Sequence, residues 1–510
     1  MTRRTAGLLL LAITAVGLAI RMIAWDQPVL GDELSTLWIV RHFDLAGTVR
    51  EVSSDAEISP PLYFVLAWLA SKLGSAPELV RLPALLAGVA AIPLSYLLGL
   101  RLRGRLAGLI AAAVMALSPF MVAFSVNGRA YSLMVALLIG STLAMLQAMR
   151  GGRPGWWVAF GLMTCLAMYS HYTAIYFLAA QLIWLLVVSP GSRLPALAAT
   201  AGAVVLYLPW VPSMLDDLDS PTLPILEAIQ GTGITEKWLG IKQLLAGQPL
   251  VDPTLLPLLL LAIGAAVVLA GFLINRKPGS SPGRSPDPAA IPTPNQGLAL
   301  LLALTFVTAI CEALLAVIGT DTFGSRNLAA TWAGLPALVG VLAASCSPAV
   351  GLTGVALLLA GFGVGTARVV DTGTATLDFK AAAEWIDENA GPDDVVYDAT
   401  FVSPVPLTSL DAYLPQDRDE FRPRVPSDEP PFLLAAGPDG QDQKVLDEAL
   451  AATGRNRLFV VTSRDPVSAG DEAELFTTDE GAELPKGWEI VETKTFPGRL
   501  PLTVTEIQRR

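Results

Sequence analysis

ELVRLPALLAGVAAIPLSYLLGLRLRGRLAGL, residues 78–109, decides how this chain folds. From Leu82 to Leu100 it carries no charge, and as a helix that run is long enough to cross about 30 Å of hydrocarbon. Arg101, Arg103 and Arg105 then fall within five residues, and a second apolar run begins. Two apolar runs separated by clustered arginines read as two membrane helices joined by a cytoplasmic turn, because Lys and Arg concentrate on that side.

The rest of the chain has the same texture. Of 510 residues, 53% are hydrophobic and 15% charged, against about 25% charged in soluble domains. Apolar spans are expected at 6–24, 81–100, 105–122, 132–149, 155–169, 172–188, 194–212, 254–274, 298–318, 327–345 and 349–366. The shortest need a thinned bilayer or help from neighbouring helices. Arg3 and Arg4 precede the first span, which lacks a small-residue cleavage pattern and reads as an uncleaved helix with a cytoplasmic N-terminus. Arg150, Arg153, Arg193, Arg276, Lys277 and Arg284 fall on that same side. Eleven spans then place the C-terminal region outside. PPLYFVLAWLASKLG, residues 60–74, would invert every later loop if it crossed, so it reads as an interfacial or re-entrant helix in the first outer loop.

The expected fold class is a polytopic α-helical membrane protein with a small extracytoplasmic α/β domain. The membrane domain takes residues 1–369, with a Pro/Ser/Gly-rich cytoplasmic linker at 275–297, and the outer domain takes 370–510. DFKAAAEWIDENAGPDDVVYDA reads as an amphipathic helix, a turn and a strand. NRLFVVTS is a second strand, GWEIVETKTF and LPLTVTEIQ form a terminal β pair, and 401–440 is mostly loop. The net charge of −11 reflects acids that crowd beyond residue 370 and argues against a nucleic-acid partner, while membrane lipids are implied throughout. Cys165, Cys311 and Cys346 lie in apolar runs and read as small core residues rather than a disulfide framework.

Chemistry collects in the outer loops. QPVLGDELSTLW, residues 27–38, places Asp32 and Glu33 just past the first span. A polar helix start is the plain reading. The functional one is a general base and its neighbour, able to take a proton from an acceptor hydroxyl at the membrane edge. Arg129 and Tyr131 lie between the third and fourth spans and Arg326 between the ninth and tenth, against the usual cytoplasmic bias. Arginine's planar fork suits phosphate; its plain alternative is snorkelling to lipid headgroups. His171, one of two histidines, maps to another outer turn. Carboxylate, arginines and histidine suit transfer onto a hydroxyl with an anionic phosphate leaving group.

GDELSTLW, SPPLYFVLAWL, ELVRLPALLAGVAAIPLSYLLGLRLRGRLAGL, ALSPFMVAFSVNGRAYSL, MYSHYTAIYFLAAQLIWLL, LPWVPSML and SRNLAATWAGLPALVG follow one another over most of the first 345 residues. Their order and spacing resemble the GT-C class of membrane glycosyltransferases, bacterial family 39 in particular, a family related to protein O-mannosyltransferases and aminoarabinose lipid A transferases. The resemblance implies a GT-C-like fold and inverting transfer from a polyprenyl-phosphate sugar donor, on the outer face of the cytoplasmic membrane, to a lipid, protein or glycan hydroxyl. It assigns the catalytic base to Asp32 with Glu33 beside it. It assigns donor-phosphate binding to Arg129, Tyr131 and Arg326, and substrate binding to His171, Tyr172 and Tyr63. No cofactor is required by it, with a divalent metal as an option. The chain departs from the family pattern at Ser59-Pro60-Pro61, where relatives often carry His or Lys before the prolines. It departs again at Asn127-Gly128, where many carry an acid, and at Arg326-Asn327, where Arg-Tyr is common. These departures bear on the metal, the sugar and the acceptor. The competing class is a polyprenyl-lipid flippase or transporter with an outer sensor domain. Such proteins usually carry midplane charges or broken helices in corresponding halves, whereas Glu312 is the one acid inside the last spans here.

Overall fold

The computed structural model describes the chain except residues 55–56, 152, 221–232, 248–254, 276–291, 320, 372–376, 399, 401–406, 415–419, 422–440, 464–486 and 499–500. Most of the expected linker and most of the 401–440 loop lie outside the described residues. The chain divides into two compact units. The first is Met1–Trp25, Phe43–Lys72 and Arg81–Val370; the second is Asp26–His42, Leu73–Val80 and Asp371–Arg510.

The first unit is helical. Among the described residues, seven helices are long and apolar enough to cross a membrane: Arg3–Ala24, Pro77–Arg103, Tyr131–Ala148, Pro190–Asp219, Leu255–Asn275, Pro294–Ile318 and Pro348–Val370. Each coincides with an expected span, and the chain has the make-up of a multi-pass membrane protein. Three other expected spans appear as the shorter apolar helices Arg105–Leu117, Gly155–Met168 and Ala174–Val188. At about 1.5 Å per residue these fall short of about 30 Å. The apolar run at 60–74 forms the helix Leu62–Ser71, whose 10 residues reach about half that thickness.

Two expected spans are broken, and proline sets both breaks. In 105–122, Ser118 is extended before Pro119, as the residue preceding proline prefers. Its hydroxyl caps Met121 N–H at 3.1 Å and a five-residue helix restarts. The carbonyls left open at the break have partners: Thr366 Oγ1 donates to Leu117 O at 2.7 Å and Arg21 Nη1 to Ala116 O at 3.2 Å. Arg21, fully buried in the first span, also donates to Gly17 O at 2.9 Å and to Ser125 Oγ at 3.0 Å. An intramembrane charge is tolerated when its donors are met by backbone and hydroxyl oxygens. The break ends in the turn that carries Arg129. In 327–345, a 3-10 turn Ala329–Ala333 is followed by a separate helix Leu335–Ala343 with Pro336 in its first turn. Proline opens a helix without losing an internal hydrogen bond. Sequence reading merged these pieces because hydropathy does not register where backbone hydrogen bonds stop.

Small residues bring the spans together. A Cβ on Gly264 would lie 2.9 Å from Gly354 O, and one on Gly99 would lie 2.8 Å from Ala107 O. Close backbone approach of this kind is how helices associate where lipid removes the hydrophobic drive between them.

The second unit is α/β. Strands β1 (Val395–Asp398), β2 (Glu420–Phe421), β3 (Leu458–Ser463), β4 (Trp488–Phe496) and β5 (Leu502–Arg509) form one sheet in the order β2-β1-β3-β5-β4. β1 runs parallel to β2 and β3, and β5 runs antiparallel to β3 and β4. The period of two along each strand sorts the side chains. Val396, Phe459, Val461, Leu502 and Val504 pack with Phe379, Ala382, Ala383 and Ile386 of the helix Phe379–Asn389. Val395, Tyr397, Leu458, Val460 and Ile507 pack on the other side with Ala449. Ala449 belongs to a helix, Gln441–Thr453, that the sequence reading did not name, although Val445, Leu446, Ala449 and Leu450 have helical spacing. β2, in the stretch expected as loop, is two residues long, too short for any alternation to register.

Candidate active site

Each unit holds part of the residue set expected from sequence. In the second unit, Gly31 takes a left-handed φ of +57° and turns the chain into the helix Asp32–His42. A residue with a Cβ adopts that backbone only at a cost. The helix starts at Asp32, with Glu33 beside it in the first turn, where the helix dipole favours negative charge. The two carboxylates differ. Asp32 is exposed, whereas Glu33 is 3% exposed and lies within the fold with Leu34, Ser35, Thr36 and Leu37.

In the first unit, three turns converge. Arg129 sits at the end of the turn after the broken 105–123 segment, and Tyr131 begins the next helix. Arg129 Nη1 and Nη2 donate to Glu57 Oε1 and Oε2 at 2.7 and 2.9 Å. The guanidinium lies over the Phe64 ring, 5.8 Å from its centroid, and Ser59 Oγ is 3.5 Å from Nη2. A fork held by a carboxylate is not a side chain reaching for lipid headgroups.

The Tyr131 ring packs against His171, centroids 5.2 Å apart. His171 Nδ1 accepts from the Thr173 N–H at 3.3 Å and lies 3.0 Å from the Thr173 hydroxyl. Burial first, then the positive fields of Arg129 and Arg326, push His171 down to about 4 from its ordinary 6.5. The field of Arg326 thus reaches the same imidazole as that of Arg129. The ring is therefore neutral at physiological pH. Its low folded value means that the unfolded chain takes up the proton first as pH falls. The stabilisation is complete above about 6.5 and is lost as pH falls through the interval down to about 4. The expected result is that wild type loses more unfolding temperature than His171→Gln across that window in detergent. Equal losses would mean that the imidazole is not held neutral.

Arg326 lies in a turn tied at several points. Thr322 Oγ1 donates to Glu312 Oε2 at 2.9 Å, Asn327 Nδ2 donates to Thr322 O at 2.6 Å, and Lys237 pairs with Asp321. Glu312, the acid singled out in the late spans, thus has a defined partner. Tyr172 donates its hydroxyl to Asp217 and accepts from Trp210 Nε1 at 3.1 Å. This commits the hydroxyl expected to meet substrate to a buried carboxylate instead. Tyr63 is 1% exposed and packs edge-on against Phe64.

Sequence reasoning missed Glu57, Asp217, Lys237 and Asp321. Asp217 is the second residue after the quoted LPWVPSML, in the acidic run DDLD, so a signal was present. Glu57, two residues before Ser59-Pro60-Pro61, had none beyond its loop. Among the described residues no three His, Cys, Asp or Glu side chains converge as metal ligands.

These features define a membrane protein whose first unit holds Arg129, paired with Glu57, and His171, and whose second unit carries an exposed carboxylate at a helix start. Residues 59–212 match the family described as dolichyl-phosphate-mannose-protein mannosyltransferase, which bears out the resemblance drawn from the motifs. No curated protein matches the chain. Among solved structures, it is similar to apo ArnT from Cupriavidus metallidurans (14% identity, 99% of this chain and 98% of that one, TM-score 0.45). The same enzyme bound to undecaprenyl phosphate gives 13% identity, 97% of both chains and a TM-score of 0.43. The oligosaccharyltransferase AglB from Archaeoglobus fulgidus, with an inhibitory peptide and a dolichol-phosphate, gives 12%, 89% and 69%, and 0.48.

Proposed function

We propose that the protein is an integral membrane glycosyltransferase. It moves a sugar from a polyprenyl-phosphate donor to a hydroxyl acceptor on the outer face of the cytoplasmic membrane, with inversion. The observation that carries this reading is the Arg129 turn packed through Tyr131 against His171 in the first unit, within a chain whose residues 59–212 match a mannosyltransferase family. In the reaction, the acceptor oxygen attacks the anomeric carbon from the face opposite the phosphate. The bond from that carbon to the phosphate oxygen breaks, and its electron pair leaves on the polyprenyl phosphate. Asp32 takes the hydroxyl proton as general base. Arg129 and Arg326 meet the charge that grows on the departing phosphate, and His171, lacking charge of its own, does not compete with them for it. A phosphate leaves as an anion, so no acid is needed. The neighbours found with undecaprenyl phosphate and dolichol-phosphate support the donor class. The sugar is a hexose or a pentose on this reading, and the acceptor a lipid, protein or wall glycan.

The orientation is tested in intact cells. Single cysteines replace Ser75 and Glu388, both exposed residues of the second unit, and Gly191, exposed in the basic turn before Arg193, in a background without Cys165, Cys311 and Cys346. An impermeant thiol reagent should label the first two in intact cells and the third only after lysis. The reverse pattern would put the carboxylate on the wrong side for an outward-facing donor. Transfer is then assayed by release of undecaprenyl phosphate from undecaprenyl-phosphate mannose or arabinose in membranes. Lipid scrambling in liposomes without any transfer would favour the flippase reading.

A further inference from the structure

The helix that presents Asp32 is held by the C-terminal part of its own unit, and the contacts converge on one tyrosine. Residues 408–414 form a turn closed by reciprocal bonds. Thr408 N–H donates to Asp411 Oδ2 at 3.0 Å, and Asp411 N–H to Thr408 Oγ1 at 3.1 Å. Leu410 and Leu414 anchor that turn in the core beside Phe379, Val396 and Phe459. From it, Tyr413 Oη accepts the Val29 N–H at 2.9 Å and donates to Glu78 Oε1 at 3.2 Å. Val29 is fully buried, Glu78 is 6% exposed, and Leu30 packs on the same core. The neighbouring Ala412 accepts from Arg41 Nη1 at 3.5 Å, in the last turn of the same helix, while Arg41 Nη2 donates to Ser75 O at 3.1 Å. Lys380 pairs with Asp26 and lies 3.8 Å from Glu78.

We propose that Tyr413, backed by Glu78, is a positioning residue that sets where Asp32 sits, and that holding this helix is a task of the C-terminal domain. This rests on the reading of Asp32 as the base. A helix of 11 residues is marginal alone, so its placement comes from what it touches. The buried Val29 N–H lies three residues before Asp32 and needs an acceptor. A hydroxyl that itself donates to a carboxylate is a polarised and therefore stronger one. Displacing a catalytic group by about 1 Å costs up to about 100-fold in rate, so the loss of one hydroxyl far from any substrate is readable in turnover.

The test uses the full-length protein in membranes and compares Tyr413→Phe with Arg457→Met. Arg457 braces the sheet of the same unit through Asp394, Glu506 and Asn389 O, and these bonds involve neither Tyr413 nor residues 26–42. Two readouts are taken: release of undecaprenyl phosphate, split into kcat and donor KM, and hydrogen exchange of the peptide covering residues 26–36. Tyr413→Phe should lower kcat at least about tenfold with donor KM within about twofold, and should speed exchange in 26–36 but not in β3 or β5. Arg457→Met should lower the unfolding temperature and leave kcat and that peptide unchanged. Wild-type kcat and exchange in Tyr413→Phe overturn the inference, as does a kcat loss that only follows stability as Arg457→Met does. If Tyr413→Phe does not fold, Glu78→Gln, which keeps an acceptor oxygen, should retain kcat, and Glu78→Leu should lose it. If both Glu78 variants behave alike, the inference is overturned. If instead Asp32→Asn transfers as well as wild type, it is the reading of the base that fails, while the exchange readout still decides whether Tyr413 holds the helix.

Discussion

Asp32→Asn is expected to lower transfer about 10²- to 10⁴-fold, the usual contribution of a general base, while the protein folds and inserts as before. The residue is exposed at the start of its helix, so the change removes little packing, and the lost interaction of its charge with the helix dipole is small, about 0.3–1 kcal/mol. What it removes is the ability to accept a proton. Glu33→Gln is the matched control, because Glu33 is buried and faces the fold. Its loss should appear in stability before it appears in turnover. The measurement is release of undecaprenyl phosphate in membranes, alongside unfolding temperature and yield of folded protein. Near wild-type turnover in Asp32→Asn with a collapse in Glu33→Gln would reverse the assignment. Activity in both would move the base elsewhere.

The spans were readable because apolar length is a one-dimensional property. Leu82 to Leu100 can be nothing shorter than a membrane helix, and the basic turns order such runs without any tertiary information. The terminal strands were readable for a similar reason, since WEIVETKTF and LTVTEIQ carry period-two patterns and β-branched residues. The breaks were harder. Ser118-Pro119 and Gly334-Leu335-Pro336 were visible as letters, but a proline inside an apolar run either kinks a helix or starts a new one. The outcome depends on partners such as Thr366 and Arg21, which lie more than 90 residues away. The site divides in the same manner. Arg129, Arg326 and His171 stood out because polar side chains of this kind are rare in turns between apolar runs. Their counter-groups did not. Glu57, Asp321 and Asp217 each sit in a polar stretch where an acid is ordinary, and only the fold brings Glu57 to a residue 72 positions further on.

Arg129→Lys is expected to reduce kcat/KM for the donor about 10²- to 10³-fold, the scale seen when one preorganised donor to a developing anion is lost. Lysine keeps the charge, so a purely Coulombic role would survive the exchange. The geometry says that the fork matters. Both terminal nitrogens meet both oxygens of Glu57 at 2.7 and 2.9 Å, an arrangement that an ammonium cannot copy. The side chains of the pair are 13% and 7% exposed, so this is not a solvated surface contact. Buried pairs add little net stability, but removing one member costs about 3–5 kcal/mol, because the other charge is left alone. Glu57→Leu would therefore confuse misfolding with lost function. Glu57→Gln is the informative partner, since it keeps an oxygen for the guanidinium and removes only the charge. If Glu57 aims Arg129 at the phosphate, Glu57→Gln should raise donor KM, and the Arg129→Lys/Glu57→Gln double variant should be no worse than Arg129→Lys alone. Residues acting as one unit show that non-additivity, and independent ones do not. Wild-type donor kinetics in Arg129→Lys would make the pair a structural brace and leave Arg326 as the cation that meets the leaving group.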